Sequence, residues 1–130
     1  MNEIYEFLKA AGTYYLATVE GDAPRVRPFG TIDEFDGHLY IQTGKVKKVA
    51  DQIKANPNIE ICAFFKGKWA RVSAKAYLDE RLEAQEHMLE AYPSLKRMYQ
   101  VNDGNTEVYR LEDVTATIES FTEEKKEFRF

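Results

Sequence analysis

At 130 residues with a formal net charge of −4, the chain has the length of one domain, and its overall field repels nucleic acid and anionic membrane surfaces. Apolar residues make up 44% and aromatic residues 13%, enough for a core without metal or disulfide staples, and the single cysteine, Cys62, excludes an internal disulfide. No apolar run approaches the ~20 residues of a membrane span, and MNEIYEFLKAAG lacks a signal-peptide core, so a cytoplasmic location is expected.

In chain order, Ile4, Phe7, Leu8 and Ala11 recur at helical spacing, with Asn2 placed as a cap and Gly12 as a stop. TYYLATVE then reads as a strand, GDAP as a turn and PRVRPFGTIDEF as a second strand. Asp36-Gly37 is a tight-hairpin signal leading into HLYIQT, so the second and third strands are expected to lie side by side. Val46, Val49, Ala50 and Ile53 repeat at helical spacing, with the first turn near Lys45 to Lys48 and a stop at Asn56-Pro57.

NIEICAFF and KWARVSAKAYLDE read as two strands joined by Lys66-Gly67, with Cys62 expected in the core. In the second of these, Ala70, Val72, Ala74, Ala76 and Leu78 share one face, small enough to line a tightly curled sheet. A helical segment from 81 to 99, interrupted at Tyr92-Pro93, precedes the NDGN turn. EVYRLEDVTATIESF forms a last strand, broken near Glu112-Asp113, and TEEKKEFRF is expected to be a solvated tail. The fold class is mainly β with short helices (α+β): six antiparallel strands in a single domain over 1–130, closed into a small barrel so that few edges remain.

The chemistry concentrates between Pro24 and Ile61. Arg25 and Arg27 share a strand face with Phe29, and Pro28, which has no N–H, argues for an edge position open to a ligand. Cations at a helix start oppose the macrodipole unless an anion is present, so Lys45, Lys47 and Lys48 beside the Thr43 hydroxyl point to a phosphate. His38 and His87 have no partner at metal-ligand spacing, and neither Ser73 nor Ser94 lies in a nucleophile-elbow context. No metal site and no catalytic side chain are therefore expected, and a cofactor would have to carry any reaction.

R27-P-F-G, L39-Y-I-Q-T43, K47-K48-V-A-D-Q-I, N56-P57-N-I-E-I and K68-W-A-R-V-S-A-K-A together resemble the FMN-binding split β-barrel family typified by pyridoxamine 5′-phosphate oxidase, nearest its short nitroimidazole-resistance and general-stress branch. The resemblance implies a homodimer with FMN at the subunit interface and a nicotinamide cofactor as electron donor to a small acceptor such as a nitroaromatic or a flavin. It implies further that Arg27 contacts the FMN phosphate and that the backbone through Pro28, Phe29 and Gly30 runs along the ring system. Thr43, Gly44, Lys47 and Lys48 would complete the phosphate and ribityl site, Arg25 would follow by strand parity, and Trp69 would face the partner's flavin. The R-L-x-P motif of authentic pyridoxamine phosphate oxidases is missing, which argues against vitamin-oxidase activity. Two alternatives stay open: a deazaflavin-dependent reductase, since some related barrels bind a deazaflavin or haem, and a non-catalytic flavin or small-ligand binding module.

Overall fold

A computed structural model describes all residues from Met1 to Phe130. The elements are α1 (Asn2–Ala11), β1 (Tyr14–Glu20), β2 (Ala23–Phe29), β3 (Asp33–Phe35), β4 (His38–Gly44), α2 (Lys48–Ala55), β5 (Asn58–Phe65), β6 (Lys68–Asp79), α3 (Leu82–Ala91), a 3₁₀ segment at Pro93–Arg97, β7 (Thr106–Ser120) and β8 (Lys126–Arg129). The sheet runs in the order β2-β1-β5-β6-β7-β4-β3, with β8 added to β7. All pairings are antiparallel.

Two of these eight strands depart from the six expected. The stretch from Pro24 to Phe35 divides: β2 pairs with β1 over its whole length, whereas β3 pairs with β4 across the Asp36-Gly37 turn. Arg25 and Arg27 therefore lie beside β1, and not beside the strand that carries Thr43. The intervening residues bridge the two ends of the sheet. The Tyr14 hydroxyl donates to the Thr31 carbonyl at 2.6 Å, and the Gln42 amide N–H donates to Thr31 Oγ1 at 3.1 Å, so Thr31 is held from both sides and the barrel closes through it. The second departure is the tail: Lys126–Arg129 pairs with Thr115–Ile118 as β8, because a long strand whose far half is unpaired leaves backbone groups to satisfy.

That long strand is β7, and it serves two neighbours in turn. Its first half pairs with β4 and its second half with β8, while β6 follows it throughout. The break expected near Glu112-Asp113 is a β-bulge: Asp113 has φ of 52°, and the register slips between Ser73 and Lys75. Bending there lets one strand contribute to two parts of the barrel wall.

The core gathers Leu16, Ile41, Ile61, Val72, Tyr109 and the alanines of β6, capped by Ile4 and Leu8 from α1. Met1, and not Asn2, occupies the N-cap of α1, without a side-chain hydrogen bond, and Gly12 ends that helix at φ 77°. Burying Ile4 and Leu8 contributes about 1.5–3 kcal/mol each. Cys62 departs from its expected place as well. Period-two alternation in β5 sends Ile59, Ile61 and Ala63 inward, so Cys62 is exposed on the outer surface.

Candidate functional site

Arg27 stands opposite Leu16 in β2, and its side chain follows the inner face of the sheet toward α2. Its Nη1 donates to the Leu16 carbonyl at 3.2 Å and to Thr18 Oγ1 at 2.7 Å, and its Nη2 donates to Gln52 Oε1 at 2.6 Å. All three acceptors are neutral. Burial lowers the guanidinium pKa, partly countered by the charge of Glu20, yet Arg27 forms no ion pair. A half-buried cation without a carboxylate partner is one whose charge is left for an anion.

Gln52 carries that network onto α2. Thr18 Oγ1 donates to the same Oε1 at 2.5 Å, and Gln52 Nε2 donates to Glu20 Oε2 at 3.3 Å. Lys48 lies four residues earlier, on the same helix face. It is close enough to Glu20 to help hold that carboxyl below its usual range, after the hydrogen bonds from Arg25 and Gln52 and the charge of Arg25.

The helix begins at Lys48, so the basic run occupies the turn before α2 and its first residue, and not the first helical turn expected over 45 to 48. Lys47 takes the N-cap position and no side chain caps the helix. Lys45, Lys47 and Lys48 make no ion pair. The N–H groups of the first turn and these ammonium groups therefore present positive charge with no carboxylate in direct contact. Thr43, in β4 just ahead of the turn, is buried opposite Glu107, and Gly44 follows it.

The remaining expected positions divide. Arg25 is tied to Glu20 at 2.9 Å, so its charge is already matched. Phe29 packs its ring 6.0 Å from Tyr14, Gly30 follows at the start of the bridging segment, and Pro28 lies opposite Tyr15 on the outer surface. Trp69 is three strands away from Arg27, its ring 5.1 Å from that of Phe121 and tilted against it, and belongs with the outer surface rather than with the cations. On the same outer face, Tyr15, Val26 and Phe64 are 53%, 68% and 68% exposed. Pro28, Tyr15 and Cys62 stand directly opposite one another, as do Phe64 and Trp69, so the apolar patch crosses four adjacent strands.

Several residues of the site escape a reading of the sequence. Thr18 and Gln52 look like ordinary polar positions until the fold joins them to Arg27. Gln42, 6% exposed in β4, holds the only buried side-chain nitrogen or oxygen without a hydrogen-bond partner, its Nε2. Its backbone is bonded to Thr31, one residue past Gly30, and it precedes Thr43. Its backbone therefore lies where the two expected binding segments meet, and its side chain shares the strand face of Tyr40 and Val108. A glutamine inside the apolar run L-Y-I-Q-T was the available signal.

The donor set suits a phosphate attached to a ring system with hydrogen-bond acceptors: cations without an ion pair and helix N–H groups at one end, and an unsatisfied amide on the adjoining strand. No cluster of His, Cys, Asp and Glu suited to a metal ion is present, and no helix is long and apolar enough to cross a membrane.

Residues 1–117 match the family model described as pyridoxamine 5′-phosphate oxidase. Over its whole length, and over 92% of the other chain, the protein is 44% identical to a NimC/NimA family protein from Clostridium acetobutylicum, with a TM-score of 0.97. General stress protein 26 from Bacillus anthracis is 21% identical with a TM-score of 0.73, covering 98% of this chain and 99% of that one. The haem storage protein HutZ of Vibrio cholerae is also 21% identical, at a TM-score of 0.64, covering 85% and 87%. The last two share the fold alone, and no curated protein matches significantly. With the match to the model and the barrel agreeing, the chain belongs to the pyridoxamine 5′-phosphate oxidase-like split-barrel family, alongside its NimC/NimA members.

Proposed function

We propose that the protein is a homodimeric FMN-binding oxidoreductase that passes electrons from a reduced nicotinamide to a small acceptor, such as a nitroaromatic or a free flavin. The observation that carries this reading is Arg27: a half-buried guanidinium bonded only to neutral acceptors, joined through Gln52 to the uncapped helix start that bears Lys47 and Lys48. Membership of a family that includes flavin-binding proteins supports the choice of a flavin phosphate among anions.

In this reading Arg27, Lys47, Lys48 and the first N–H groups of α2 hold the phosphate, and Thr43 adds a hydroxyl. The backbone of Pro28, Phe29 and Gly30 flanks the ring, and the Gln42 amide supplies a donor to one of its acceptors. Bound FMN would supply the two-electron chemistry that no side chain here offers. The apolar outer face, centred on Tyr15, Val26 and Phe64, gives a second copy its contact, and Trp69 stands within that contact. Such a patch exceeds the scattered apolar residues of an ordinary monomer surface.

Titration with FMN and with riboflavin tests the phosphate assignment. Wild type should prefer FMN, and Arg27→Ala should lose about 1–3 kcal/mol of FMN binding while leaving riboflavin nearly unchanged. Equal losses for both ligands would overturn the assignment. Steady-state oxidation of NADH or NADPH by the loaded protein, with a nitroaromatic as acceptor, separates an enzyme from a flavin carrier.

A further inference from the structure

The turn that delivers Lys47 and Lys48 is held from outside its own strand and helix. The main-chain N–H of Lys45 donates to the Asn105 carbonyl at 2.7 Å, and that of Val46 donates to Asn105 Oδ1 at 3.3 Å. One residue thus satisfies two consecutive donors with its backbone and its side chain. Gly44, where the turn begins, is pressed against the same loop: a Cβ there would lie 3.0 Å from the Tyr99 hydroxyl and 3.3 Å from Asn105 Nδ2. The close approach leaves no room for a side chain unless Tyr99 and Asn105 yield.

The loop has its own brace. The Asp103 carboxylate accepts from the backbone N–H groups of Gln100 at 2.9 Å, Asn105 at 2.8 Å and Thr106 at 2.6 Å, and from the Thr106 hydroxyl at 3.2 Å. From the other side, Gln85 of α3 accepts the Asn102 N–H at 2.8 Å. Asn105 is therefore the far end of a chain of hydrogen bonds that begins in α3 and ends at the basic turn.

We infer that Asn105, braced by Asp103, is a positioning residue for the anion site, fixing from a distant part of the chain where the lysine-bearing turn leaves β4 and where α2 starts. The inference rests on the phosphate reading given above. With the N–H groups of Lys45 and Val46 occupied by Asn105, and that of Lys47 by Gly44, the donors left for an anion are those of the helix itself. Asn105 touches no ligand in this assignment; it decides which backbone donors are free and where they point.

The test compares Asn105→Ala and Gly44→Ala with wild type and Arg27→Ala, each titrated with FMN and riboflavin, alongside amide hydrogen exchange at Lys45 and Val46. Asn105→Ala should lose roughly tenfold in FMN affinity, keep riboflavin within about twofold and speed exchange at Val46, whose side-chain acceptor it removes, more than at Lys45, whose main-chain acceptor it keeps. Gly44→Ala, which displaces Tyr99 and Asn105 without removing either, should give the same selective loss. A merely structural role would weaken both ligands equally, and that result overturns the inference, as does unchanged FMN affinity with the Val46 amide unprotected. If Arg27→Ala loses its preference for FMN while the other two variants keep theirs, the positioning role fails and the phosphate site stands. Absence of any FMN preference in wild type removes the phosphate reading itself.

Discussion

Arg27 Nη2 donates to Gln52 Oε1 at 2.6 Å, which fastens the end strand of the sheet to the helix that opens with Lys48. The same oxygen accepts from the Thr18 hydroxyl, so a strand, its neighbour and a helix meet at one atom.

Replacing Gln52 with Met keeps much of the side-chain volume and removes that acceptor. The Thr18 hydroxyl and the Arg27 guanidinium would each lose a partner, and unfolding in urea should show a loss of about 1–3 kcal/mol. FMN affinity should fall about tenfold with riboflavin little affected, because a wandering Arg27 weakens the phosphate contact alone. A stable variant with undiminished FMN affinity would show that Gln52 does not orient Arg27.

Gln42→Leu should act oppositely on stability and binding. The free chain carries an unsatisfied buried amide at a cost of about 1–3 kcal/mol, so removing it should raise the urea midpoint. If the amide donates to the flavin ring, FMN and riboflavin should weaken together, unlike the phosphate variants. Isothermal titration of both ligands decides the point.

Val26→Arg or Phe64→Glu would place a charge in the exposed apolar face, where the native side chains are 68% exposed. Sedimentation should then report a single 15.1 kDa chain in place of a species of twice that mass. A wild type that sediments as one chain with FMN present would contradict the dimer.

His87 Nδ1 lies 2.6 Å from Oδ2 of the buried Asp33, whose other oxygen accepts only the Glu34 N–H. Removing the imidazole leaves a buried carboxylate half satisfied. His87→Ala should cost about 1.5–3 kcal/mol in urea unfolding. Electron transfer per bound flavin should stay within tenfold, since His87 packs on Phe35 and Asp33 and has no place in the anion site.

Burial would raise the pKa of Asp103, but the N–H groups of Thr106, Gln100 and Asn105 and the Thr106 hydroxyl outweigh it and hold the group at about 2. Because the folded value lies below the unfolded one of roughly 3.9, its contribution is complete above pH ~4 and disappears as pH falls through about 2. Exchange at the Asn105 and Thr106 amides should accelerate over that interval, and Asp103→Asn should flatten the response.

The helices, the β5–β6 hairpin and the alternation of β6 were legible because each rests on local periodicity. The division of residues 24 to 35 was not, since which strand each half pairs with depends on β1 and β4 lying at opposite ends of the sheet. Cys62 shows the same limit: the apolar run I-E-I-C-A-F-F hides its alternation, and only the register with Tyr15 and Arg71 sends the thiol outward. Residues 126 to 129 read as solvated because of their charge, yet the unpaired half of β7 recruits their backbone. Of the expected site, Arg27 is half-buried on neutral acceptors, and Lys47 and Lys48 stand at the start of α2 without an ion pair. The roles of Thr18, Gln52 and Asn105 could not be read, because all three are uncharged and come from three separate segments.

The two prolines of β2 also determine how the molecule can meet other chains. Ladder hydrogen bonds alternate along a strand, and Pro24 and Pro28 stand opposite Val19 and Tyr15 at positions that cannot donate. The donors directed toward β1 therefore come from the other parity, and the outward-facing amide positions are 24, 26 and 28. Only Val26 has an N–H to offer there. A foreign strand seeking to extend the sheet past β2 would find one donor where a regular strand presents three, so backbone pairing, the usual route to uncontrolled fibrous association, is suppressed along this border. Contacts in this part of the molecule are left to side chains, whose shape and chemistry can discriminate between partners.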